Sequence, residues 1–145
     1  MQPSEIVTRM FTALIRGDDQ TYFALVTDSF EFSGALPAPV SADGWYDMTR
    51  LITLATPDIQ YNFQVQDMQG NDVHFVTQLS GTHLGELDLS PLALGVHPPT
   101  GKTFNLPQEE GVAQVIDGKV ASFIVTPSED GGIPGIFAQL GIKVD

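Results

Sequence analysis

The sequence predicts an α+β fold, with N-terminal helices packed on a curved antiparallel β-sheet. Three observations carry this reading. Apolar residues recur at three and four positions as far as Leu54, the period changes to two from Pro57 onward, and turn signals such as Gly70-Asn71 and Asp117-Gly118 punctuate the second half. Helices set apart from an antiparallel sheet, rather than alternating with its strands, are the mark of the α+β class.

The first helix is predicted at about Glu5–Arg16, with Ser4 as N-cap and Val7, Met10, Phe11 and Leu14 forming the buried stripe, widened by Ile6 and Ile15. Gly17 ends it. Asp18 or Asp19 caps a short second helix whose Tyr22, Phe23, Leu25 and Val26 face inward. Thr27-Asp28 breaks that pattern, Phe30-Glu31-Phe32 alternates as a short strand, and Ser33–Val40, with Gly34, Pro37 and Pro39, reads as a loop. Ser41 or Asp43 opens a third helix to about Leu54, burying Trp45, Met48 and Leu51 or Ile52.

From Pro57 the chain reads as strands. Ile59, Tyr61, Phe63 and Val65 alternate with Gln60, Asn62, Gln64 and Gln66, the pattern of a half-buried strand. Gln69–Asp72 is a hairpin tip, and Val73, Phe75, Thr77 and Leu79 share one face of the return strand. Side chains alternate along a strand, so unless a bulge intervenes at Gly81 the same parity carries through to His83 and points that histidine to the enclosed side. Ser90–Thr100 is a Pro-containing excursion with Leu92, Leu94 and Val96 at its centre. Strands resume at Thr103–Leu106 and Gly111–Ile116, and Asp117-Gly118 turns into Val120–Thr126. Two glycines and Pro134 lead to a last helix carrying Ile136, Phe137 and Leu140. A twisted sheet with helices in its concavity encloses an apolar pocket.

Composition narrows the function. A chain of 145 residues reads as one domain spanning 1–145, able to bury roughly 70% of its unfolded surface. It has no cysteine, which excludes disulfides, thiolate chemistry and Cys-ligated zinc. Six basic against 18 acidic residues give a net charge of −12, which argues against nucleic acid or an anionic membrane surface as a partner. The N-terminus enters an amphipathic pattern directly and no apolar run reaches spanning length, so a soluble, cytoplasmic protein is expected.

The candidate chemistry is an acid/base pairing of His83 with Glu109 or Glu110 in an apolar pocket. Abstracting a proton next to a carbonyl needs a base and a donor for the developing oxyanion, and Tyr61 or Tyr22 can supply the donor. The alternative is a histidine hydrogen-bonded at a strand end beside surface glutamates. His74 lies on the outward parity and reads as exposed, whereas His97 sits in a loop that can cover the pocket mouth. The three histidines lack ligand spacing, so no metal site is expected. Phe32, Trp45, Tyr61, Phe63, Phe75 and Phe137 are the candidates for a substrate-binding lining, although each also suits the core.

Four segments in order carry a resemblance: G-T-H-L-G-E at 81–86, P-T-G-K at 99–102, D-G-K at 117–119, and the tail G-G-I-P-G-I-F-A-Q-L-G. With the helix-one pattern and F-E-F-S-G, they resemble the SnoaL-like polyketide or ester cyclases of the NTF2-like (cystatin-like cone) group. The resemblance implies a homodimer with a pocket for a small hydrophobic carbonyl or polyketide-type ester. It also implies cofactor-independent ring closure, with His83 matching the family histidine. The position expected for the family's catalytic aspartate is Gly111, which leaves Glu109 and Glu110 as the nearest carboxylates. A non-catalytic binding or assembly module on the same cone is the second reading. The glutamine-rich face of residues 60–66 suits either a sheet-to-sheet homodimer, since uncharged polar groups desolvate more cheaply than charges, or an ordinary solvent-facing surface.

Overall fold

The computed structural model describes residues 1–34, 38–126 and 128–142. Helix α1 (Pro3–Arg16) buries Ile6, Val7, Met10, Phe11, Ala13 and Leu14, as its periodicity predicts. Its N-cap is Gln2 and not Ser4, because Pro3 fits the first helical position with its fixed φ and needs no N–H partner. Gly17 closes the helix in the left-handed conformation at φ 74°, and Arg50 donates to the carbonyls of Leu14 and Ile15. Helix α2 (Asp19–Ala24) is capped by Asp18, whose carboxylate accepts from the Thr21 N–H. Six residues present only a narrow inner face, so Tyr22 is buried while Phe23 stays exposed, contrary to expectation.

Strand β1 (Val26–Ser33) starts earlier than its sequence suggests and includes Thr27-Asp28. An irregularity between Val26 and Glu31 absorbs these polar residues while Phe30 and Phe32 stay buried. Strand β2 (Val40–Ser41) pairs with β1, and residues 35–37 of the expected Ser33–Val40 loop, Pro37 among them, lie outside the described residues. Ser41 caps helix α3 (Ala42–Ala55) by accepting from the Gly44 N–H. The helix buries Trp45, Met48, Thr49 and Ala55, with Leu51 and Ile52 half-buried.

The strand expected from Ile59 begins only at Gln64, as β3 (Gln64–Gln69). Asn62 lies at φ 48°, a region Asn tolerates better than most residues, and this breaks the ladder. The alternation survives the break: Ile59, Tyr61, Phe63 and Val65 are half-buried, and the residues between them are exposed. After the Gly70-Asn71 turn, β4 (Asp72–Thr77) buries Val73, Phe75, Val76 and Thr77.

Four short strands follow, β5 (Ser80–Thr82), β6 (Leu87–Asp88), β7 (Val96–His97) and β8 (Thr103–Asn105), which pair as β5 with β8 and β6 with β7. The excursion expected as irregular thus contains β7 and a short 3-10 turn at Ser90–Leu92; the Leu92 side chain lies outside what is described. Strands β9 (Glu109–Ile116) and β10 (Lys119–Val125) are joined by Asp117-Gly118, both at positive φ, the geometry a two-residue hairpin favours. Helix α4 (Gly132–Leu140) is the last helix or strand among the described residues.

The main sheet runs β2-β1-β10-β9-β4-β3, antiparallel throughout except between β1 and β10, which are parallel. Helices α1 and α3 bury their apolar faces against it. Stacked aromatics form the centre of that core, with ring centroids 4.5 Å apart for Phe32 and Trp45 and 4.3 Å for Phe75 and Phe123. Ala55, Leu87, Leu89, Ile133 and Phe137 form a separate cluster beneath the β6–β7 hairpin. Among the described residues no helix is long and apolar enough to cross a membrane.

Candidate functional site

A cavity of about 80 Å³ lies between the helices and the sheet. Phe11 and Leu14 of α1 and Trp45, Met48, Thr49 and Ile52 of α3 form one side. Phe32, Phe123 and Val125 form the opposite side, Tyr61, Thr77 and Leu79 an edge, and Gly132, Ile133 and Ile136 of α4 close it. Among the described residues one carboxylate enters this apolar space, that of Glu109.

Glu109 is the first residue of β9 and sits opposite Thr77 of β4, on the parity that also turns Ala113 and Val115 inward. It is only 7% exposed. Its Oε2 accepts from the backbone N–H of Ser128 at 3.0 Å and from the Ser128 hydroxyl at 3.3 Å. The bare backbone of Gly131 lies against the same oxygen, since a Cβ there would come within 2.5 Å of it. Among the described residues no hydrogen bond reaches Oε1, so one oxygen is anchored and the other is free to act. Glu110, one residue on, is exposed on the outer face opposite Val76. Of the two adjacent carboxylates, only Glu109 lines the cavity.

His83 lies elsewhere. It is fully buried, as parity predicts, but in the loop that joins β5 to β6 and packs on residues 100–102. Its N–H donates to the Lys102 carbonyl and its own carbonyl accepts from Gly101, both at 2.9 Å. Ring Nδ1 accepts from the Thr100 N–H at 3.3 Å and lies 3.1 Å from the Thr100 hydroxyl, while Nε2 is buried without a partner among the described residues. Burial pushes its pKa down. His83 is not among the cavity walls and bonds to neither Glu109 nor Glu110. The structure does not join the expected pair. The chain leaves the main sheet after Thr77 and enters a separate two-stranded ladder, so the break in the strand comes before Gly81 and carries His83 away from the cavity.

The other histidines lie away from the cavity walls. His74 pairs with Asp67 at 3.3 Å on the outer face. His97 Nε2 bonds the Leu94 carbonyl at 2.7 Å and its ring meets Phe137 edge-on, over the second apolar cluster rather than the main cavity. Among the described residues no three histidine, aspartate or glutamate side chains are grouped so as to hold a metal ion.

Of the six expected lining aromatics, Phe32, Trp45 and Tyr61 wall the cavity. Phe63 and Phe75 instead fill the aromatic core, with centroids 5.3 Å apart, and Phe137 belongs to the second cluster. Burial raises the Tyr61 phenol to about 12, opposed by the neighbouring Arg50 charge and the Thr53 hydroxyl, so it stays a neutral donor at physiological pH. The Tyr22 hydroxyl donates to the Ala42 carbonyl at 2.8 Å and lies outside the cavity. Ser128 is the partner of Glu109 that the sequence does not announce. It stands in an irregular segment, and only the fold brings it to Glu109.

The position expected for a catalytic aspartate is filled. Gly111 pairs with Phe75 across β9 and β4, and a Cβ there would overlap Phe75 Cζ and lie 2.6 Å from the Ile124 carbonyl oxygen.

No family model and no curated protein matches the sequence. Solved structures do match. IdmH from Streptomyces antibioticus, described as a candidate polyketide cyclase, is 23% identical, with 98% of this chain and 100% of that chain covered at a TM-score of 0.70. A candidate SnoaL-like polyketide cyclase from a Jannaschia species is 17% identical over 86% of this chain and 83% of its own, at a TM-score of 0.67. The chain has the SnoaL-like/NTF2-like fold. An NTF2-like protein from Burkholderia xenovorans, 20% identical over 85% of this chain and 86% of its own, superposes at a TM-score of 0.62. The resemblance seen in the sequence motifs is thus met by the fold. In this SnoaL-like fold the cavity lies between the helices and the concave sheet, and Glu109 is its carboxylate.

Proposed function

We propose that the protein is a cofactor-independent cyclase or isomerase acting on a small hydrophobic carbonyl compound, with Glu109 as its acid/base group. The observation that carries this reading is the single carboxylate that the described residues place in an apolar cavity, with Oε2 held by Ser128 and Oε1 without a partner among them. Glu109 takes a proton from the carbon next to the carbonyl, and the C–H electron pair moves into an enolate. Tyr61 or Thr77, both on the cavity wall, donates a hydrogen bond to the enolate oxygen. In ring closure the enolate carbon attacks a second carbonyl of the same molecule, and the new alkoxide recovers the proton from Glu109. In isomerisation the proton returns to a different carbon. No metal or cofactor enters either route, and His83 takes no part.

A crystal structure of the protein with a short methyl ketone tests the assignment. The α-carbon is expected within reach of Glu109 Oε1, and a ketone seated away from Glu109 overturns it. Non-catalytic binding is the second reading, favoured by the Phe75 ring that occupies the space above Gly111. We also propose a homodimer through the outer sheet face, where Gln64 and Gln66 are exposed.

A further inference from the structure

We infer that the Glu109 cavity is a binding site for a small protonated amine, and that a secondary ammonium ion, with two N–H donors, fits it best. The inference does not require Glu109 to act as a base. It rests on the buried polar side chains and their partners. Among the described residues these are Thr49, Thr56, Thr77, His83 and Glu109. The Thr49 and Thr56 hydroxyls donate to the Trp45 and Ile52 carbonyls one turn back, at 2.8 and 2.7 Å, and His83 lies away from the cavity. Thr77 and Glu109 differ. They are only 5% and 7% exposed, yet among the described residues no hydrogen bond reaches the Thr77 hydroxyl or Glu109 Oε1.

Both open into one space. Thr77 and Glu109 are directly opposed across β4 and β9, so their side chains leave the same face of the sheet, with Cβ atoms roughly 5 Å apart, and both line the cavity. Buried polar groups are as a rule hydrogen-bonded, so two neighbouring unpaired oxygens require a donor between them. That donor has to carry charge. A carboxylate taken out of water is costly without a counter-charge, and among the described residues no lysine, arginine or histidine stands in the cavity wall. Arg50 of α3 donates instead to the Leu14 and Ile15 carbonyls. The net charge of −12 also raises the concentration of cations around the protein.

The number of acceptors and the volume set the shape of the cation. A calcium or magnesium ion takes six or more oxygens, and a guanidinium carries five N–H donors, so two oxygens suit neither. A secondary ammonium ion places one N–H on Glu109 Oε1 and the other on the Thr77 hydroxyl. Its two carbons then meet the apolar walls that Phe11, Phe32, Trp45 and Phe123 supply. An apolar cavity of roughly 150 Å³ holds the six heavy atoms of benzene, and this one is about 80 Å³. Half the volume gives room for about three heavy atoms, the number in dimethylammonium.

The test is an amide NMR titration of the full-length protein with dimethylammonium, trimethylammonium and tetramethylammonium chlorides, at about 0.15 M ionic strength so that surface attraction is screened beyond about 8 Å. The three ions share one charge and differ in N–H groups: two, one and none. Saturable shifts of the Thr77, Glu109 and Ile133 amides are expected, with affinity falling about fivefold or more for each N–H lost. Glu109→Gln is expected to weaken dimethylammonium binding about 30-fold and Thr77→Val about fivefold. Glu110→Gln, exposed on the outer face, is expected to leave it unchanged. Equal affinity for the three ions overturns the assignment, as does equal weakening in the Glu109 and Glu110 variants. So does the absence of any saturable shift, which leaves a water between the two oxygens. The comparison of the three ions uses the wild type alone and stands even where a variant does not fold. Dimethylammonium binding by a protein that never exchanges an α-proton keeps the amine site and removes the acid/base reading, and exchange without amine binding does the reverse.

Discussion

Phe75 lies directly over Gly111, its registered partner across β4 and β9, close enough that even a methyl group on Gly111 would overlap the ring. The aromatic ring thus takes the volume that an inward-pointing side chain at 111 would need. Among the described residues the one carboxylate at the cavity is two residues back, at Glu109. Two strand residues are about 6.6 Å, and at that distance from position 111 the Glu109 carboxylate meets Ser128 and Gly131, just before α4.

This pairing predicts a strong coupling. Gly111→Asp alone is expected to destabilise the protein by about 3 kcal/mol, since it overpacks the core and buries a charge. Adding Phe75→Ala should recover part of that loss, although Phe75→Ala alone costs about 3–5 kcal/mol. Urea denaturation of the four proteins in a double-mutant cycle measures it, and additive effects would mean the ring does not occupy the site.

Ser128 holds the anchored oxygen of Glu109 through its N–H and its hydroxyl. Ser128→Ala keeps the backbone bond and loses the other. A stability loss of about 1 kcal/mol is expected, together with a several-fold fall in turnover and little change in KM. Steady-state kinetics separate the two parameters. A change confined to KM would place Ser128 outside the proton transfer.

His83 gives the protein an acid-sensitive joint. Burial lowers its pKa in the folded state below the ordinary value of 6.5. Below that value the unfolded chain takes up a proton that the folded chain resists, so stability present above pH 6.5 is lost as pH falls toward the depressed folded value. The slope from this one group is at most about 1.4 kcal/mol per pH unit. Denaturation midpoints between pH 7 and 5 should fall in the wild type, and a His83→Gln variant should lack this component. An identical slope in both assigns the acid sensitivity to other groups.

The outer sheet face supplies a test of assembly. Gln64 and Gln66 are exposed there. The wild type is expected to sediment as a dimer, and the Gln64→Lys/Gln66→Lys double variant as a monomer, because charges facing their symmetry mates repel. A wild-type monomer, or a variant that stays dimeric, removes this face from the interface.

The helices were legible because a buried stripe leaves a local period, and α1 and α3 carry it without interruption. The hairpin at Asp117-Gly118 was legible because few residues besides Gly, Asn and Asp adopt its positive φ angles. His83 was legible as buried but not as to where. Asn62 donates to the Gln78 carbonyl and Gln78 donates to the Tyr61 carbonyl, so the chain is drawn off the main sheet at that point, and no local pattern announces it. The choice between Glu109 and Glu110 needed the register with Thr77. Phe32 and Phe75 have the same local pattern, and only the packing decides that one lines the cavity while the other fills the core. Ser128 acts through a tertiary contact alone, and its neighbourhood in the sequence carries no sign of it.

The central claim is that Glu109 moves a proton, and solvent deuterium exchange measures this most directly. Methyl ketones in deuterated buffer are followed by proton NMR with the wild type and with Glu109→Gln. The account predicts enzyme-dependent loss of the α-proton signal in the wild type, reduced about 100-fold or more in the variant. Equal exchange in the two proteins, or none above buffer in the wild type, contradicts it.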